Sequence, residues 1–231
     1  MRLRIASYNI HRAIGRDGRQ DRRRIARVLQ ELDAHVVALQ EVGYNSDAPG
    51  NLLAYLGDTM QAAVNEGITF LDEKGHYGNA VLSRLPVVGF SLHDISVPRH
   101  EPRGAIEMLL DLKGREIQII ATHLGLRPFE RRYQIKRLLA LHATSMADVK
   151  ILLGDLNEWF LWGRPLRWLR SEFGKMPQPA TFPARWPIFA LDRLWVNPST
   201  ALGRLHVHNS ALARAASDHL PLVAELTIAP R

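Results

Sequence analysis

The chain contains no cysteine among its 231 residues. Disulfide bonds, thiolate metal sites and cysteine nucleophiles are therefore excluded, and a reducing compartment fits this composition. No apolar run approaches the roughly 20 residues that a membrane-spanning helix needs. The opening residues, MRLRIASYNIHRAIG, lack the apolar segment and cleavage site of a secretory signal. We therefore expect a soluble cytoplasmic protein.

Three common catalytic motifs are missing as well. The chain has no HExxH zinc-binding helix, no GxxxxGK[ST] phosphate loop and no GxSxG nucleophile elbow. Acidic residues are also in the minority, with 23 Asp and Glu against 30 Lys and Arg and a net charge of +7. This balance favours anionic partners such as nucleic acid, phosphorylated metabolites or anionic lipid, although a solvated basic surface is the alternative.

What is present indicates one globular domain spanning residues 1–231. Hydrophobic residues make up 46% of the chain and charged residues 23%, which is enough to bury a substantial core. Helical spacing of apolar residues predicts helices at 21–32 and 129–145, the second with Arg131 on its polar face. Runs rich in Val and Ile predict strands at 2–10, 35–42, 79–84, 87–95, 105–112, 116–124, 150–156, 191–197, 202–209 and 220–228.

Two pairs of strands are connected too tightly for helical crossovers. We predict one hairpin between 79–84 and 87–95, and a second between 105–112 and 116–124 that is turned by the glycine of LKGRE. Hairpins mixed with helices favour antiparallel or mixed sheets covered by helices over a doubly wound parallel sheet.

The apolar runs end repeatedly on polar side chains. In the stretch ILLGDLNEWF, Asp155 and Asn157 are two residues apart and so lie on one face of an extended chain. A single end of this kind is an ordinary polar turn. The repetition instead predicts one site at a common sheet rim. The other polar ends are Asn9, Glu41 and His123, with Asp218 and His219 directly before the last strand.

These residue types indicate metal-assisted hydrolysis. Carboxylates and amide oxygens are hard ligands that suit Mg²⁺ or Mn²⁺, and the chain offers no thiolate for a softer metal. A cation would polarise a phosphoryl oxygen, a carboxylate would activate water, and histidines would carry charge or protons.

Eight short motifs span residues 8–219: YNIH (8–11), LQEV (39–42), GNAVLSR (78–84), EPRGA (101–105), THLG (122–125), GDLN (154–157), LDRLWV (191–196) and SDH (217–219). Each is weak alone, but their order resembles that of the endonuclease/exonuclease/phosphatase superfamily. This group includes DNase I, exonuclease III-type AP endonucleases, sphingomyelinases and inositol polyphosphate 5-phosphatases.

The resemblance implies a four-layer α/β sandwich, with two mixed β-sheets packed face to face, helices outside and the site at one rim. It also implies a Mg²⁺-dependent phosphoesterase acting on a phosphodiester of nucleic acid or phospholipid type, with inositol phosphates left open. A catalytically silent module that binds nucleic acid or anionic lipid is the alternative. Such a module would have lost Glu41, Asp155, Asp218 or His219, and all four are present.

The resemblance further implies metal ligands. Glu41 would be the principal Mg²⁺ ligand, Asn9 would orient the metal shell or the phosphate, and Asp218 would supply a further ligand. The alternatives are a solvated strand end for Glu41 and an Asx-type turn for Asn9. In AP endonucleases the residue two after the first Asn is acidic. Here it is His11, which weakens a two-metal AP-endonuclease assignment.

Catalytic roles are implied for five residues. Asp155 would orient or deprotonate the attacking water, and Asn157 would hold the nucleophile or a phosphate oxygen. His219 would stabilise the transition state, with Asp192 favouring its protonated form. His123 would hydrogen-bond a phosphoryl oxygen or assist the leaving group, although a lone histidine after a strand is usually structural.

Two residues would bind substrate, and three alternatives stay open at this level. Arg103 of EPRGA would meet the phosphate in a bidentate way, or else pack against Glu101. Asn79 would line the site, although Gly-Asn is also a common turn. For Asp192 the alternative is a salt bridge to Arg193.

The segment WFLWGRPLRWLRSEFGK, residues 159–175, places three of the five tryptophans among arginines. As a basic, aromatic and amphipathic element it predicts peripheral contact with an anionic membrane surface, or stacking on nucleic-acid bases. Core packing with the arginines outside is the alternative.

Overall fold

The computed structural model describes residues 1–44, 51–72 and 75–229. Within these ranges the helices are α1 (Arg22–Leu32), α2 (Leu52–Met60), α3 (Pro128–Thr144), α4 (Arg164–Phe173) and α5 (Ala211–Ala216). The strands are β1 (Arg2–Asn9), β2 (Val36–Tyr44), β3 (Ala63–Asp72), β4 (Gly75–Ser83), β5 (Val87–Asp94), β6 (Gly104–Leu112), β7 (Arg115–His123), β8 (Val149–Asp155), β9 (Asp192–Asn197), β10 (Leu202–Val207) and β11 (Leu222–Thr227). In the described part of the chain, no helix is both long enough and apolar enough to cross a membrane.

The strands form two mixed sheets. One has six strands in the order β10–β11–β1–β2–β4–β3, and the other has five in the order β5–β6–β7–β8–β9. Each sheet contains one parallel pair, β1 with β2 and β7 with β8, and the crossovers run through α1 and α3. Because β1, β2, β7 and β8 all have a parallel neighbour, their carboxyl ends collect at defined edges of the two sheets.

Alternation of side chains along the strands produces three apolar cores. The inner faces of the two sheets pack against each other, with Ile5 of β1 and Ile119 of β7 in this inter-sheet core. The outer face of the six-stranded sheet packs against α1, α2 and α5, represented by Ile25, Leu53 and Ala213. The outer face of the five-stranded sheet packs against α3 and α4. Since both faces of each sheet are buried, the four-layer α/β sandwich is confirmed.

The predicted helix at 21–32 is confirmed to within a residue. Asp21 caps α1 by accepting hydrogen bonds from the backbone N–H groups of Arg23 and Arg24 at 2.9 and 3.3 Å. Its apolar stripe, including Val28 and Leu29, is fully buried. Capping and periodicity therefore agree along this segment.

One predicted hairpin is wrong. Segments 79–84 and 87–95 do not pair, because β4 lies between β2 and β3 in one sheet while β5 is the edge strand of the other. The short link between them carries the chain from sheet to sheet. Pro86 has no N–H to donate to a ladder, and Ser83 Oγ donates to the Leu85 carbonyl at 2.9 Å. Tight spacing therefore marks a corner here.

The true hairpin partner of β4 is β3, which the sequence reading missed. Its run AVNEGITFLD interrupts the apolar alternation with Asn65, Glu66 and Gly67, so it lacks the signature of a buried strand. The second predicted hairpin is confirmed as β6 and β7, which pair from Leu112 and Arg115 at the turn.

Gly154 allows β8 to approach β7 closely just before Asp155. Its φ of 142° lies in a region that side-chain-bearing residues rarely adopt, and an added Cβ would overlap the carbonyl oxygen of Thr122. The close packing of β8 against β7 therefore explains why GDLN has a glycine at position 154.

Gly154→Ala should lower the free energy of unfolding by about 3 kcal/mol or more, because backbone must move in a packed interior. The matched control is Gly114→Ala in the β6–β7 turn. There φ is 81° but the space around the Cβ position is open, so the loss should be only about 1 kcal/mol. Urea denaturation of both variants gives the two values, and equal losses would contradict the steric argument.

Candidate active site

Polar side chains continue the inner faces of five strands at one rim of the sandwich. Each lies an even number of residues from an apolar residue of the inter-sheet core, as Asp155 does from Leu153. All of them are buried. They are Asn9 in β1, Asn79 in β4, His123 in β7, Asp155 in β8 and Asp192 in β9.

Glu41 reaches this rim through a β-bulge. In a regular β2 it would lie on the outer face with Leu39. The pairing with β4 shifts register between Leu39 and Val42, and both of these residues remain in the outer core. Glu41 takes a left-handed φ of 55°, which is uncommon for a residue other than glycine. The bulge therefore turns the carboxylate inward, toward Asn9.

The Asn9 amide joins two carboxylates. Its Nδ2 donates to Glu41 Oε1 and to Asp155 Oδ2, both at 3.0 Å, while its Oδ1 accepts from the backbone N–H of His11 at 3.0 Å. Burial raises the pKa of Glu41. The Asn9 hydrogen bond opposes that rise, and the charges of Asp155 and Asp218 add to it. Negative charge is therefore concentrated on hard oxygen atoms at this point.

Ser217 holds the SDH segment against the end of β1. Its hydroxyl donates to the Asn9 carbonyl at 2.8 Å and accepts from the His219 backbone N–H at 3.2 Å. Asp218 is thereby placed near the Glu41 carboxylate, with its Oδ1 3.8 Å from His11 Nδ1. His11, which stands where AP endonucleases have an acidic residue, therefore places an imidazole beside Asp218.

Asp192 and His219 form a buried pair. His219 Nδ1 lies 2.8 Å from Asp192 Oδ2, and Thr181 Oγ1 donates to the same oxygen at 2.6 Å. Burial alone would lower the pKa of His219, but the charges of Asp192 and Asp155 raise it to about 10. The ring is thus protonated at neutral pH. Arg193 instead donates to a backbone carbonyl at 3.0 Å, so the alternative salt bridge with Asp192 is not formed.

His123 is held in the opposite protonation state. Arg103 Nη1 lies 2.9 Å from His123 Nδ1, and a guanidinium can only donate. Burial and the charge of Arg103 lower the pKa of His123 to about 3. On its other side, His123 Nε2 lies 3.0 Å from Asn157 Nδ2 and 3.6 Å from Asp155 Oδ2. Arg103 also pairs with Glu101 at 3.0 Å, so the packing alternative is observed, and its phosphate contact stays a prediction.

Two asparagines brace the neighbouring loops. The Asn157 backbone N–H donates to Asp155 Oδ1 at 2.9 Å, and its side chain donates to the Leu124 carbonyl at 3.0 Å. Asn79 Nδ2 donates to the Gly104 carbonyl at 3.3 Å. Both side chains are buried beside the group described above, and their roles toward substrate stay predictions.

Comparison with known proteins identifies the family. A family model described as Endonuclease/Exonuclease/phosphatase family matches residues 6–219. The chain belongs to the endonuclease/exonuclease/phosphatase family. Members of this family hydrolyse phosphate esters and generally depend on a divalent metal ion. The chain is 32% identical over 217 residues to "Uncharacterized protein YbhP" of Escherichia coli K12, covering 86% of this chain and 85% of that protein.

Solved structures of the endonuclease/exonuclease/phosphatase family share the fold. The mannosyl-6-phosphatase of Bacteroides thetaiotaomicron VPI-5482 has a TM-score of 0.77 at 18% identity, covering 98% of this chain and 100% of that chain. D. rerio TDP2 complexed with a single-strand DNA product has a TM-score of 0.73 at 15% identity, with coverage of 98% and 99%.

The donor set fits a divalent cation of the kind this family uses. Asp155, Asp192 and His219 each offer an atom within 4.8 Å of the others. That group does not suit a cation, because His219 Nδ1 is bonded to Asp192 and a protonated imidazole is not a ligand. Glu41, on which the charges of Asp155 and Asp218 act, instead offers carboxylate oxygens of the kind that divalent cations bind, and a cation there would relieve the mutual repulsion of these groups.

A second buried ion pair, between Arg131 and Glu158, connects two loops beside the site. The sequence did not predict it. Arg131 Nε lies 3.2 Å from Glu158 Oε2, and Arg131 Nη1 donates to the Leu126 carbonyl at 2.6 Å. The pair ties the loop after β7 to the loop after β8. An arginine on a helix is expected to face solvent, so helical spacing gave no signal for this contact.

Thr181→Val should lower turnover about 10-fold. Asp192 Oδ2 loses a buried hydrogen-bond donor, so the Asp192 carboxylate is held less firmly against His219. Thr181→Ser keeps the hydroxyl and should restore most of the activity. Thr200→Val, at an exposed position in a short 3-10 helix, is the matched control and should behave as wild type. Steady-state kinetics on a phosphodiester measure all three, and equal turnover in the Val and Ser variants at position 181 would argue against this role.

Proposed function

We propose that this chain is a Mg²⁺-dependent phosphodiesterase, with Mn²⁺ as a second usable cation. The observation that carries the proposal is the position of Asp155 between two groups of opposite charge. Its Oδ2 lies 3.0 Å from Asn9 Nδ2 on the carboxylate side and 3.8 Å from His219 Nε2 on the protonated side. A phosphate ester placed there meets hard ligands for a cation on one side and fixed positive charge on the other.

Glu41 and Asp218 would hold the cation, and Asn9 would keep the Glu41 carboxylate in place. When bound, a divalent cation polarises a phosphoryl oxygen and lowers the pKa of bound water. The surroundings of Glu41 support this assignment. Burial, and then the charges of Asp155 and Asp218, raise the pKa of Glu41, and a bound cation would stabilise the charged carboxylate in such a place.

The remaining steps fall to the chain's own side chains. Asp155 orients the attacking water and takes up its proton, while the Asn157 amide holds the water or a phosphate oxygen. His219, kept protonated by Asp192, donates to a phosphoryl oxygen as negative charge builds up. His123, as a neutral imidazole, hydrogen-bonds another phosphoryl oxygen or assists the leaving group.

The proposed substrate is a phosphodiester of nucleic acid or phospholipid type, and Arg103 and Asn79 would form the wall that faces it. The net charge of +7 favours a polyanion or an anionic surface over a small neutral ester. Among proteins similar in fold, one is named a mannosyl-6-phosphatase and another was solved with a DNA product.

Purified protein with Mg²⁺ should hydrolyse bis-p-nitrophenyl phosphate and should lose that activity in EDTA. Glu41→Gln should lower kcat/KM by about 10²-fold or more, because a charged ligand becomes neutral. Glu116→Gln is the matched control, since Glu116 is exposed at the opposite end of β7 from His123. Hydrolysis that survives exhaustive EDTA dialysis would refute metal dependence. Binding of plasmid DNA or anionic lipid without any hydrolysis would favour the silent module.

Asp192→Asn keeps the shape of the side chain but removes the charge that favours protonated His219. Turnover should fall by about 10²-fold. Asp192→Asn and His219→Ala should also be non-additive, because each disables the same unit. The two single variants and the double variant are compared at saturating Mg²⁺. Losses that simply multiply would show that the two side chains act independently.

A further inference from the structure

Three segments that border the candidate active site carry large apolar side chains into solvent: two are loops, and the third is a loop with the first turn of α3. These side chains are between 44% and 72% exposed. We call them the apolar rim: Leu126 and Phe129 after β7, Phe160, Leu161 and Trp162 after β8, and Trp186 and Ile188 before β9. Scattered exposed apolar residues are ordinary, but contiguous ones at a site mark an interaction surface.

Trp159 connects two of these loops at their base. Its ring centroid lies 5.8 Å from that of Phe182 and 4.9 Å from that of Phe189, the two residues that bridge the base of the loop before β9. The Phe182 ring in turn lies 4.8 Å from the His219 ring. The apolar rim is therefore built directly onto the catalytic histidine.

The third loop joins the same surface through a cleft. Phe160 and Trp162, whose ring centroids are 5.4 Å apart, line a cavity of about 460 Å³ together with Pro128 of α3. Arg132 and Arg164 line the same cavity. Apolar and cationic side chains thus share one cleft at the rim.

The segment 159–175, which the sequence presents as one amphipathic element, divides into two parts. The part that forms α4 buries Leu166, Leu169 and Phe173 against the core, as the packing alternative holds. The exposed large apolar side chains of this segment all lie in the WFLW stretch before α4, with Trp162 the most exposed of the four at 72%. Any apolar external contact of this segment therefore involves the loop, and the apolar face of α4 is not available for it.

The charge of these loops suits an anionic surface. The ranges 124–129, 156–163 and 174–191 contain a single acidic residue, Glu158, and it is buried against Arg131. Arg127 and Arg185 are exposed in the loops, and Arg164, two residues after Trp162, is exposed at the start of α4. A surface with exposed Trp, Phe, Leu and Arg side chains and no exposed acid matches an anionic bilayer interface.

We propose that the apolar rim docks this protein on an anionic phospholipid membrane, so that headgroup phosphodiesters reach the active site. The presentation of substrate rests on the proposed function, whereas the docking does not. Aliphatic Leu126, Leu161 and Ile188 favour lipid over single-stranded nucleic acid, because they insert among acyl chains but give bases no aromatic face. The rings of Phe160 and Trp162 also contact each other at an angle of 41°, so they do not form a parallel platform on which successive bases would stack.

Co-sedimentation with vesicles tests the docking without any turnover. Wild type should bind vesicles of equimolar phosphatidylcholine and phosphatidylglycerol much more tightly than vesicles of phosphatidylcholine alone. Phe160→Ser with Trp162→Ser should weaken this binding at least about tenfold, because two apolar side chains no longer leave water. Trp186→Ser with Ile188→Ser repeats the test on a separate loop, in case the first pair misfolds.

The chain offers a matched control for non-specific stickiness. Val88 and Phe90 are 60% and 44% exposed on β5, the edge strand farthest from β9 in its sheet. Val88→Ser with Phe90→Ser removes similar apolar surface and should bind vesicles like wild type. Arg132→Gln with Arg164→Gln should reduce the preference for phosphatidylglycerol and make binding less sensitive to salt.

Several outcomes overturn the proposal. These are a wild-type protein that stays in the supernatant, a control pair that loses as much binding as the rim pairs, and equal binding to both kinds of vesicle. Rim variants that weaken binding to a single-stranded oligonucleotide, with no vesicle binding, would assign the surface to nucleic acid. Because the sedimentation assay does not depend on turnover, absence of vesicle binding leaves the phosphodiesterase proposal standing. A protein that binds vesicles but hydrolyses no phosphodiester would instead count against the phosphodiesterase proposal and leave the docking proposal standing.

Discussion

The double hydrogen bond of the Asn9 side chain is the contact on which the rest of the site depends. One amide nitrogen donates to Glu41 in its own sheet and to Asp155 in the facing sheet, using both of its hydrogens. An aspartate at this position would only repel the two carboxylates, and an apolar residue would remove one hydrogen-bond donor from each of them. The amide therefore sets the spacing at which the two sheets present their acidic groups.

Two histidines in this site are held in opposite charge states by their neighbours. Arg103 keeps His123 neutral, and Asp192 keeps His219 protonated, although both rings are buried within reach of Asp155. A pair of similar groups whose pKa values are driven apart divides the work between a neutral imidazole and a fixed positive charge. Backbone features assist the arrangement, since the bulge at Glu41 and the glycine at position 154 each place a carboxylate that a regular strand would misdirect or exclude.

Local pattern predicted most strands and mixed sheets covered by helices, whereas the four layers were implied by the family resemblance. It also predicted that Asn9, His123 and Asp155 lie at one edge, because the period of two carries a polar strand end to the same face as the apolar residues before it. Asn79 and Asp192 came from the resemblance alone. It failed where a contact joins distant segments without a pattern. Thr181 and Ser217 are short hydroxyl residues whose roles depend on which chain end lies opposite, and Arg131 is a helix arginine that turns inward. The link at Pro86 was misread because a corner between sheets and a hairpin turn have the same length.

The two parallel pairs give the molecule a matched construction, with one β–α–β crossover in each sheet. The first, β1–α1–β2, supplies Asn9 and Glu41, and the second, β7–α3–β8, supplies His123 and Asp155. Neither unit holds more than half of the constellation. The constellation consequently exists only when the two sheets have docked, because its residues lie far apart along the chain. Catalytic activity at this edge therefore requires both sheets to be folded and packed together, and a chain with only one folded sheet is expected to be inactive.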